Sequence, residues 1–370
     1  MRRLLIATAL LVGCGEAEPV EGTPAPAPES KQEAAEATDQ GKADWSVDVC
    51  DWNGWYGDGA CDWFCLKRDQ DCNAEPLGPA PAGQATKYPV VLAHGFDASP
   101  SNRWGWYRVP EALEADGHTV FVTMVPPYNT VAVRAAHLAR QIDTILEDTG
   151  AERVNLVAHS MGGLDGRYLI SSLGYGNAVA SLTTISTPHR GSAVADVALK
   201  LLPGLADRAL NALASAWGRT YSELADDSDL RGAMAGISEA NLPGFNADNP
   251  DDPQVHYQSW AGVSSVLGLN HRADAEACEG MLLQHPGSSD KMNATLVPMA
   301  GFVAHGTKLY PNDGMVRVDS AKWGDFRGCI PADHLDEVGQ VRNEGADPHT
   351  GFDAPRFYRN VVFELAEQGL

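Results

Sequence analysis

Short apolar runs and longer amphipathic stretches alternate along most of this chain. Pro89-Val90-Val91-Leu92-Ala93 is an unbroken apolar run that stops at His94-Gly95-Phe96-Asp97, which predicts a strand covered on both faces. A second strand is expected over Thr119 to Met124. From Thr130 to Leu146 the apolar residues Val131, Ala135, Leu138, Ile142 and Ile145 recur at helical spacing, so one face packs on a sheet and the charged face is solvated. Val154 to Ala158 then reads as a strand, Gly163 to Ser172 as a helix, and Ala180 to Ser186 and Val255 to Ala261 as further strands. Strands alternating with helices predict a mostly parallel sheet with helices on both faces. Between Ser192 and Asp252 the pattern changes. Val197, Leu201, Leu205, Leu210, Leu213 and Trp217 form an apolar stripe broken by Pro203-Gly204, which fits two short helices acting either as core or as a lid.

The N-terminal part is organised differently. Met1-Arg2-Arg3 followed by the apolar run Leu4 to Val12 is too short to span a membrane and reads as a secretory signal. Leu11-Val12-Gly13-Cys14 resembles a bacterial lipobox, which implies cleavage before Cys14, acylation of that cysteine and anchoring to a membrane by lipid. The plainer alternative is a signal that merely contains a cysteine. The expected organisation is a lipoprotein signal peptide over 1–13, a disordered tether rich in Pro, Ala and Glu over 14–43, a small Cys-rich module over 44–75, a linker over 76–87 and the main domain over 88–370, with a lid at about 193–252. The protein is then exported, to the outer membrane or cell surface or onward to the medium.

Cysteine usage agrees with export. Of seven cysteines, assigning Cys14 to lipid leaves Cys50, Cys61, Cys65, Cys72, Cys278 and Cys329, an even set that predicts three disulfides. The module around the first four is too small to be held by its core alone, so two bridges would supply the constraint. Its many aromatic residues fill that core or leave a ring exposed for a ligand. Its aspartates lack calcium-loop spacing and read as solvated turns.

Length and charge narrow the function. The 370 residues with 44% hydrophobic content can bury a sizeable core, and the formal net charge of −22 disfavours a basic face for nucleic acid or anionic lipid.

The most informative stretch is Val154-Asn155-Leu156-Val157-Ala158-His159-Ser160-Met161-Gly162-Gly163, where a strand ends at a serine flanked by small residues. A nucleophile held on a sharp strand-to-helix turn needs small residues two before and two after it, and Ala158 and Gly162 meet that need. A serine that only caps a helix would look similar. A serine hydroxyl needs a base to take its proton and a carboxylate to orient the base. If the chain order is serine, acid, histidine, four of the eleven histidines precede Ser160 and drop out. Pro311-Asn312-Asp313-Gly314 is a turn leading into Met315-Val316-Arg317-Val318, which could set Asp313 at the sheet edge, and Ala332-Asp333-His334 follows. Spacing alone leaves an Asx-turn residue and a surface histidine as equal alternatives.

Five ordered segments carry a resemblance: Tyr88-Pro89-Val90-Val91-Leu92-Ala93-His94-Gly95, the stretch from Val154 to Gly163, Ser186-Thr187-Pro188-His189-Arg190-Gly191-Ser192, Asn312-Asp313-Gly314-Met315-Val316 and His334-Leu335-Asp336-Glu337-Val338. From about Tyr88 onward the chain resembles the bacterial true lipases of the Pseudomonas and Burkholderia type, triacylglycerol hydrolases of the α/β-hydrolase fold. The resemblance implies Ser160 as nucleophile, Asp313 as acid, His334 as base, and the amides of Phe96 and Met161 as oxyanion hole. It also implies a structural calcium ion held by the carboxylates of Asp290 and Asp336 and the carbonyl of Gln340, and a disulfide between Cys278 and Cys329. A lipid or ester substrate follows, with no organic cofactor; a folding chaperone is a candidate partner because some relatives need one. The lid reading of 193–252 gains from the same resemblance. The alternatives are a short-chain carboxylesterase or polyester depolymerase, and a surface binding or adhesion protein on a hydrolase scaffold.

Overall fold

The computed structural model describes residues 28, 30–39, 48–56, 65, 85–96, 105–201, 227–269, 272–279, 289–303, 310–339, 347 and 350–370. Its centre is a sheet of β1 (Val90–Ala93), β2 (Val120–Val122), β3 (Val154–His159), β4 (Val179–Ile185), β5 (His256–Gly262) and β8 (Asp325–Ile330), in the order β2-β1-β3-β4-β5-β8 with every pairing parallel. Two very short strands, β6 (Ser264–Ser265) and β7 (Asp290–Lys291), pair separately.

Strand alternation divides the core in two. Val90, Leu92, Val157, Ile185, Trp260 and Ile330 point to one face, where they meet α3 (Val109–Ala115) and the C-terminal helix α12 (Ala354–Glu367). Val91, Ala93, Leu156, Ala158 and Leu182 point to the other and meet α4 (Val131–Thr149) and α5 (Gly162–Ser171). With both faces covered, β1, β3 and β4 are buried throughout; β1 is accordingly an unbroken apolar run, whereas β3 and β4 also bury Asn155, His159, Ser181, Thr183 and Thr184.

The expected strands and helices of this region are present with ends shifted by one to three residues. Thr130 caps α4 by accepting from the Val133 amide, and Gly150 ends it at φ 66°. Arg134 departs from the expectation that charged residues of this helix face water, because it is fully buried between Val131 and Leu138. The segment 311–314 forms a turn, as its composition predicts. Asp313 accepts from the Met315 and Val316 amides, which closes a turn and removes those donors from any ladder, and α11 (Val318–Ala321) begins at once. The sixth strand is β8, whose outer residues Asp325, Phe326 and Arg327 are exposed or half-buried and so lack an apolar signature.

In the stretch expected to be a featureless tether, Lys31–Asp39 forms the helix α1, in keeping with its Ala- and Glu-rich composition, and Ala34 packs with Val49 and Cys50. Cys50, on α2 (Val49–Asn53), is bonded to Cys65, and Cys278 is bonded to Cys329. The second bridge ties the segment after α9 (Arg272–Ala277) to β8 within a cluster holding Val263, Val316 and Val318. Cys14, Cys61 and Cys72 lie outside the described residues. Of the lid stretch, α6 (Ala193–Leu201), α7 (Leu230–Gly236) and α8 (Leu242–Asp248) are described, whereas Leu205, Leu210, Leu213 and Trp217 lie outside. Ala195, Ile237 and Leu242 pack against Met161 and Leu164, so this layer sits directly beside the serine turn. Among the described residues no helix is long and apolar enough to cross a membrane.

Candidate active site

The serine turn is built by close approach. Ser160 has φ 55°, a left-handed conformation costly for a residue with a Cβ. It is held there by its amide donating to Ile185 O at 2.9 Å and its carbonyl accepting from Thr187 Oγ1 at 2.7 Å. A Cβ on Gly162 would lie 2.7 Å from the carbonyl oxygens of both Ala93 and His94, and one on Gly95 would lie 2.8 Å from Ser160 Cβ. Glycine at these positions therefore lets the loop after β1 lie against the start of α5.

Three side chains from distant parts of the chain meet at this end of the sheet. His334, on the loop after β8, has Nε2 2.9 Å from Ser160 Oγ and Nδ1 2.7 Å from Asp313 Oδ2. Asp313 is fully buried, and its Oδ1 accepts from the Met315 and Val316 amides at 2.8 and 2.7 Å. Burial alone would raise its pKa, but His334 and these hydrogen bonds outweigh it and hold the carboxyl below its ordinary value. The backbone is fixed too, since His334 N donates to Asp313 O at 2.9 Å. Such a chain of hydrogen bonds can move a proton from Oγ to Nε2 while a carboxylate faces the resulting imidazolium.

The Met161 amide directly follows the serine, and the Phe96 amide follows Gly95, which abuts Ser160 from the loop after β1; among the described residues neither donates a hydrogen bond within the protein. Met161 precedes α5, so the positive end of that helix lies at the same place. His94 does not reach toward Ser160 Oγ. Its Nε2 accepts from the Val125 amide and its Nδ1 bonds Gly95 O, and burial brings it down to about pKa 3, which keeps it neutral.

A second polar cluster, not foreseen in the sequence, backs the first. Glu337 is fully buried; its Oε2 lies 2.8 Å from His159 Nε2 and its Oε1 accepts from Ser186 Oγ at 2.5 Å. Ser186 Oγ in turn accepts from the Gly262 amide. Burial, followed by the charge of Asp313, pushes Glu337 well above the carboxylate range, and burial with the nearby His334 pushes His159 well below its own. Both groups are neutral, which leaves Asp313 as the ionised carboxylate facing His334. Glu337 stands inside a motif read for its neighbours, three residues after His334, and that spacing was its only signal. Arg134 and Asp165 were missed as well; the clue to Arg134 was its place on the apolar stripe of α4.

The residues expected at a cation site are also juxtaposed. Asp290, on β7, and Asp336 lie with Asp333 so that one ligand oxygen of each falls within 4.8 Å of the others. Asp333 was not expected there, and Gln340 lies outside the described residues. Asp290 Oδ2 is buried without a hydrogen-bond partner. Burial and then the like charges of Asp333, Asp336 and Asp347 push the Asp290 carboxyl well above its usual value. A hard divalent cation is the group this oxygen set fits.

Comparison with known proteins accords with this geometry. A family model described as the alpha/beta hydrolase fold matches residues 88–225. The chain is 32% identical over 280 residues to Triacylglycerol lipase 2 of Saccharomyces cerevisiae, covering 71% of this chain and 74% of that protein. It belongs to the triacylglycerol lipase family of α/β hydrolases. The triacylglycerol lipase of Pseudomonas fragi is 29% identical over 266 residues, covering 69% of this chain and 89% of that protein; that of Burkholderia plantarii is 28% identical over 330 residues, covering 77% and 88%. Among solved structures, a metagenomic carboxyl esterase superposes with TM-score 0.58 at 18% identity over 91% of each chain. Staphylococcus hyicus lipase superposes with TM-score 0.55 at 17% identity, covering 79% of this chain and 98% of its own. This family member is a serine ester hydrolase.

The neutrality of Glu337 in the hydrolase sets a testable sign. A folded-state pKa above the unfolded value contributes stability below the unfolded value and loses it as pH rises through the folded one. Glu337→Gln, which cannot ionise, is therefore expected to gain stability relative to the parent as pH rises above the ordinary carboxylate range in urea titrations. Glu337→Ala removes the acceptor of the buried Ser186 hydroxyl and the partner of His159 Nε2 and is expected to lose about 1–3 kcal/mol throughout. Parallel pH curves for the parent and the Gln variant would contradict the assignment.

Proposed function

We propose that this protein is a triacylglycerol lipase that works through an acyl-enzyme on Ser160. The observation carrying the reading is the continuous hydrogen-bonded path from Ser160 Oγ through both nitrogens of His334 to buried Asp313. Ser160 Oγ attacks the ester carbonyl carbon as His334 Nε2 takes its proton, and Asp313 offsets the charge that develops on the imidazole. The Phe96 and Met161 amides receive the oxyanion; donors of this kind are each worth about 3–4 kcal/mol. The same proton passes to the departing alcohol. A water molecule, deprotonated by His334, then attacks the acyl carbonyl and frees the fatty acid.

Acylglycerols as substrate are supported by the relatives named triacylglycerol lipase and by the apolar helices packed beside Met161. Emulsified triacylglycerol is expected to be hydrolysed in preference to dissolved short-chain p-nitrophenyl esters. The reverse preference would replace this reading with a carboxylesterase. A fluorophosphonate probe is expected to label the parent and not Ser160→Ala, whose kcat falls by about a millionfold. An unlabelled parent would leave only a binding scaffold.

Calcium is the cation the carboxylate set would take, with Asp290, Asp333 and Asp336 as ligands and Gln340 as a candidate carbonyl donor. It would pin the loop that carries His334. Chelation is expected to lower the melting temperature, calcium to restore it, and Asp290→Asn to abolish the response. A melting curve indifferent to chelator removes the cation from the account.

Export with a lipid anchor at Cys14 completes the reading, supported by Leu11-Val12-Gly13-Cys14. Cys14→Ser is expected to move the protein from the membrane to the soluble fraction, and unchanged partitioning would exclude the anchor.

A further inference from the structure

Arg134 is the one guanidinium among the described residues with fully buried side-chain contacts on both sides of the serine turn. Its Nη2 donates to the carbonyls of His94 and Gly95 at 3.0 and 2.9 Å, and its Nη1 donates to Pro126 O at 3.3 Å. Its Nε and Nη2 both contact Asp165 Oδ2, at 2.9 and 2.8 Å. Asp165 belongs to the first turn of α5, where its amide donates to Met161 O at 3.1 Å.

These contacts bear on the oxyanion hole for a geometric reason. Gly95 O and the Phe96 N–H belong to one planar trans peptide, in which the C=O and N–H point in opposite directions. Fixing the carbonyl fixes the amide. Gly95 O accepts from Arg134, and also from His94 Nδ1 at 3.0 Å, while His94 Nε2 accepts from the Val125 amide and so leaves the ring proton on Nδ1. A positively charged donor on the carbonyl also polarises the peptide and strengthens its N–H as a donor.

We infer that Arg134, clamped by Asp165, is a positioning residue that sets the direction of the Phe96 amide and its spacing from the Met161 amide, so that both converge on one oxyanion. The guanidinium fork reaches the loop after β1 with one edge and the nucleophile-bearing helix with another. Buried charge pairs are a costly way to hold a core together, and an apolar pair of similar volume usually does as well. What an apolar pair cannot do is hold three main-chain carbonyls. Lysine cannot reproduce the fork either.

This inference rests on the lipase reading, and the experiment separates the two. Wild type, Arg134→Lys, Arg134→Met and Asp165→Asn are compared for kcat and KM on p-nitrophenyl butyrate, for inhibition by phenylboronic acid, whose serine adduct is tetrahedral, and for melting temperature. A wild type inert toward both ester and boronate defeats the lipase reading. With an active wild type, Arg134→Met is expected to lose about 10–100-fold in kcat at nearly unchanged KM, to bind boronate more weakly by a similar factor, and to be only partly rescued by Arg134→Lys. A purely structural role would lower the melting temperature and leave kcat per folded molecule and boronate affinity as they were, which overturns the inference. Should the Arg134 variants fail to fold, His94→Leu and His94→Gln test the same carbonyl. Loss of kcat with His94→Leu and recovery with His94→Gln is expected; equality of both with wild type overturns it.

Discussion

The whole site depends on His334 being held at both ring nitrogens at once. Nδ1 faces buried Asp313 at 2.7 Å and Nε2 faces Ser160 Oγ at 2.9 Å, so tautomer, ring plane and direction of proton transfer are fixed together. Each partner is itself constrained by backbone. Asp313 is locked by two amides of its own turn, and Ser160 is kept in a left-handed conformation by hydrogen bonds to β4 and the segment that follows it. The sheet serves this arrangement because its strands are parallel, so the C-terminal ends of β3 and β8, with the turn bearing Asp313, come to the same end of the sheet.

Burying so many polar groups in one place demands that their charges be sorted. Asp313 and Glu337 both lie fully buried near His334, and low dielectric does not allow both to ionise. Asp313 has the two amides and the imidazole, so it keeps the charge. Glu337 has Ser186 and His159, neither charged, and stays neutral. Asp290, Asp333 and Asp336 face the same problem, and Asp290 Oδ2 is buried without a hydrogen-bond partner, which is the physical argument for a cation. Arg134 and Asp165 solve it on the opposite side by pairing.

Much of the framework was legible because burial on both faces writes itself into composition. β1 is a uniformly apolar run, apolar residues predominate in β3 and β4, and α4 carries a regular stripe with a cap at each end. The edge strand β8 was not legible, since a strand with an exposed beginning has no such run. The turn at Asp313 was legible from its Pro-Asn-Asp-Gly composition, but the two amides its carboxylate would hold were not. The helix at Lys31–Asp39 was hidden by a composition that serves equally well for a solvated tether.

By itself the sequence determined the alternation of strand and helix and the serine turn, which follow from local sterics and periodicity that act over a few residues and leave marks there. Ser160, Asp313 and His334 were implied together only through the resemblance of ordered motifs to a family. Only the tertiary structure decided that Glu337 is an uncharged backing group, that Asp333 joins Asp290 and Asp336, and that Arg134 grips the carbonyl opposite the Phe96 amide. A charged side chain looks the same in sequence whether water or a buried carbonyl receives it, and that choice is made by contacts between segments that meet only when the chain is folded.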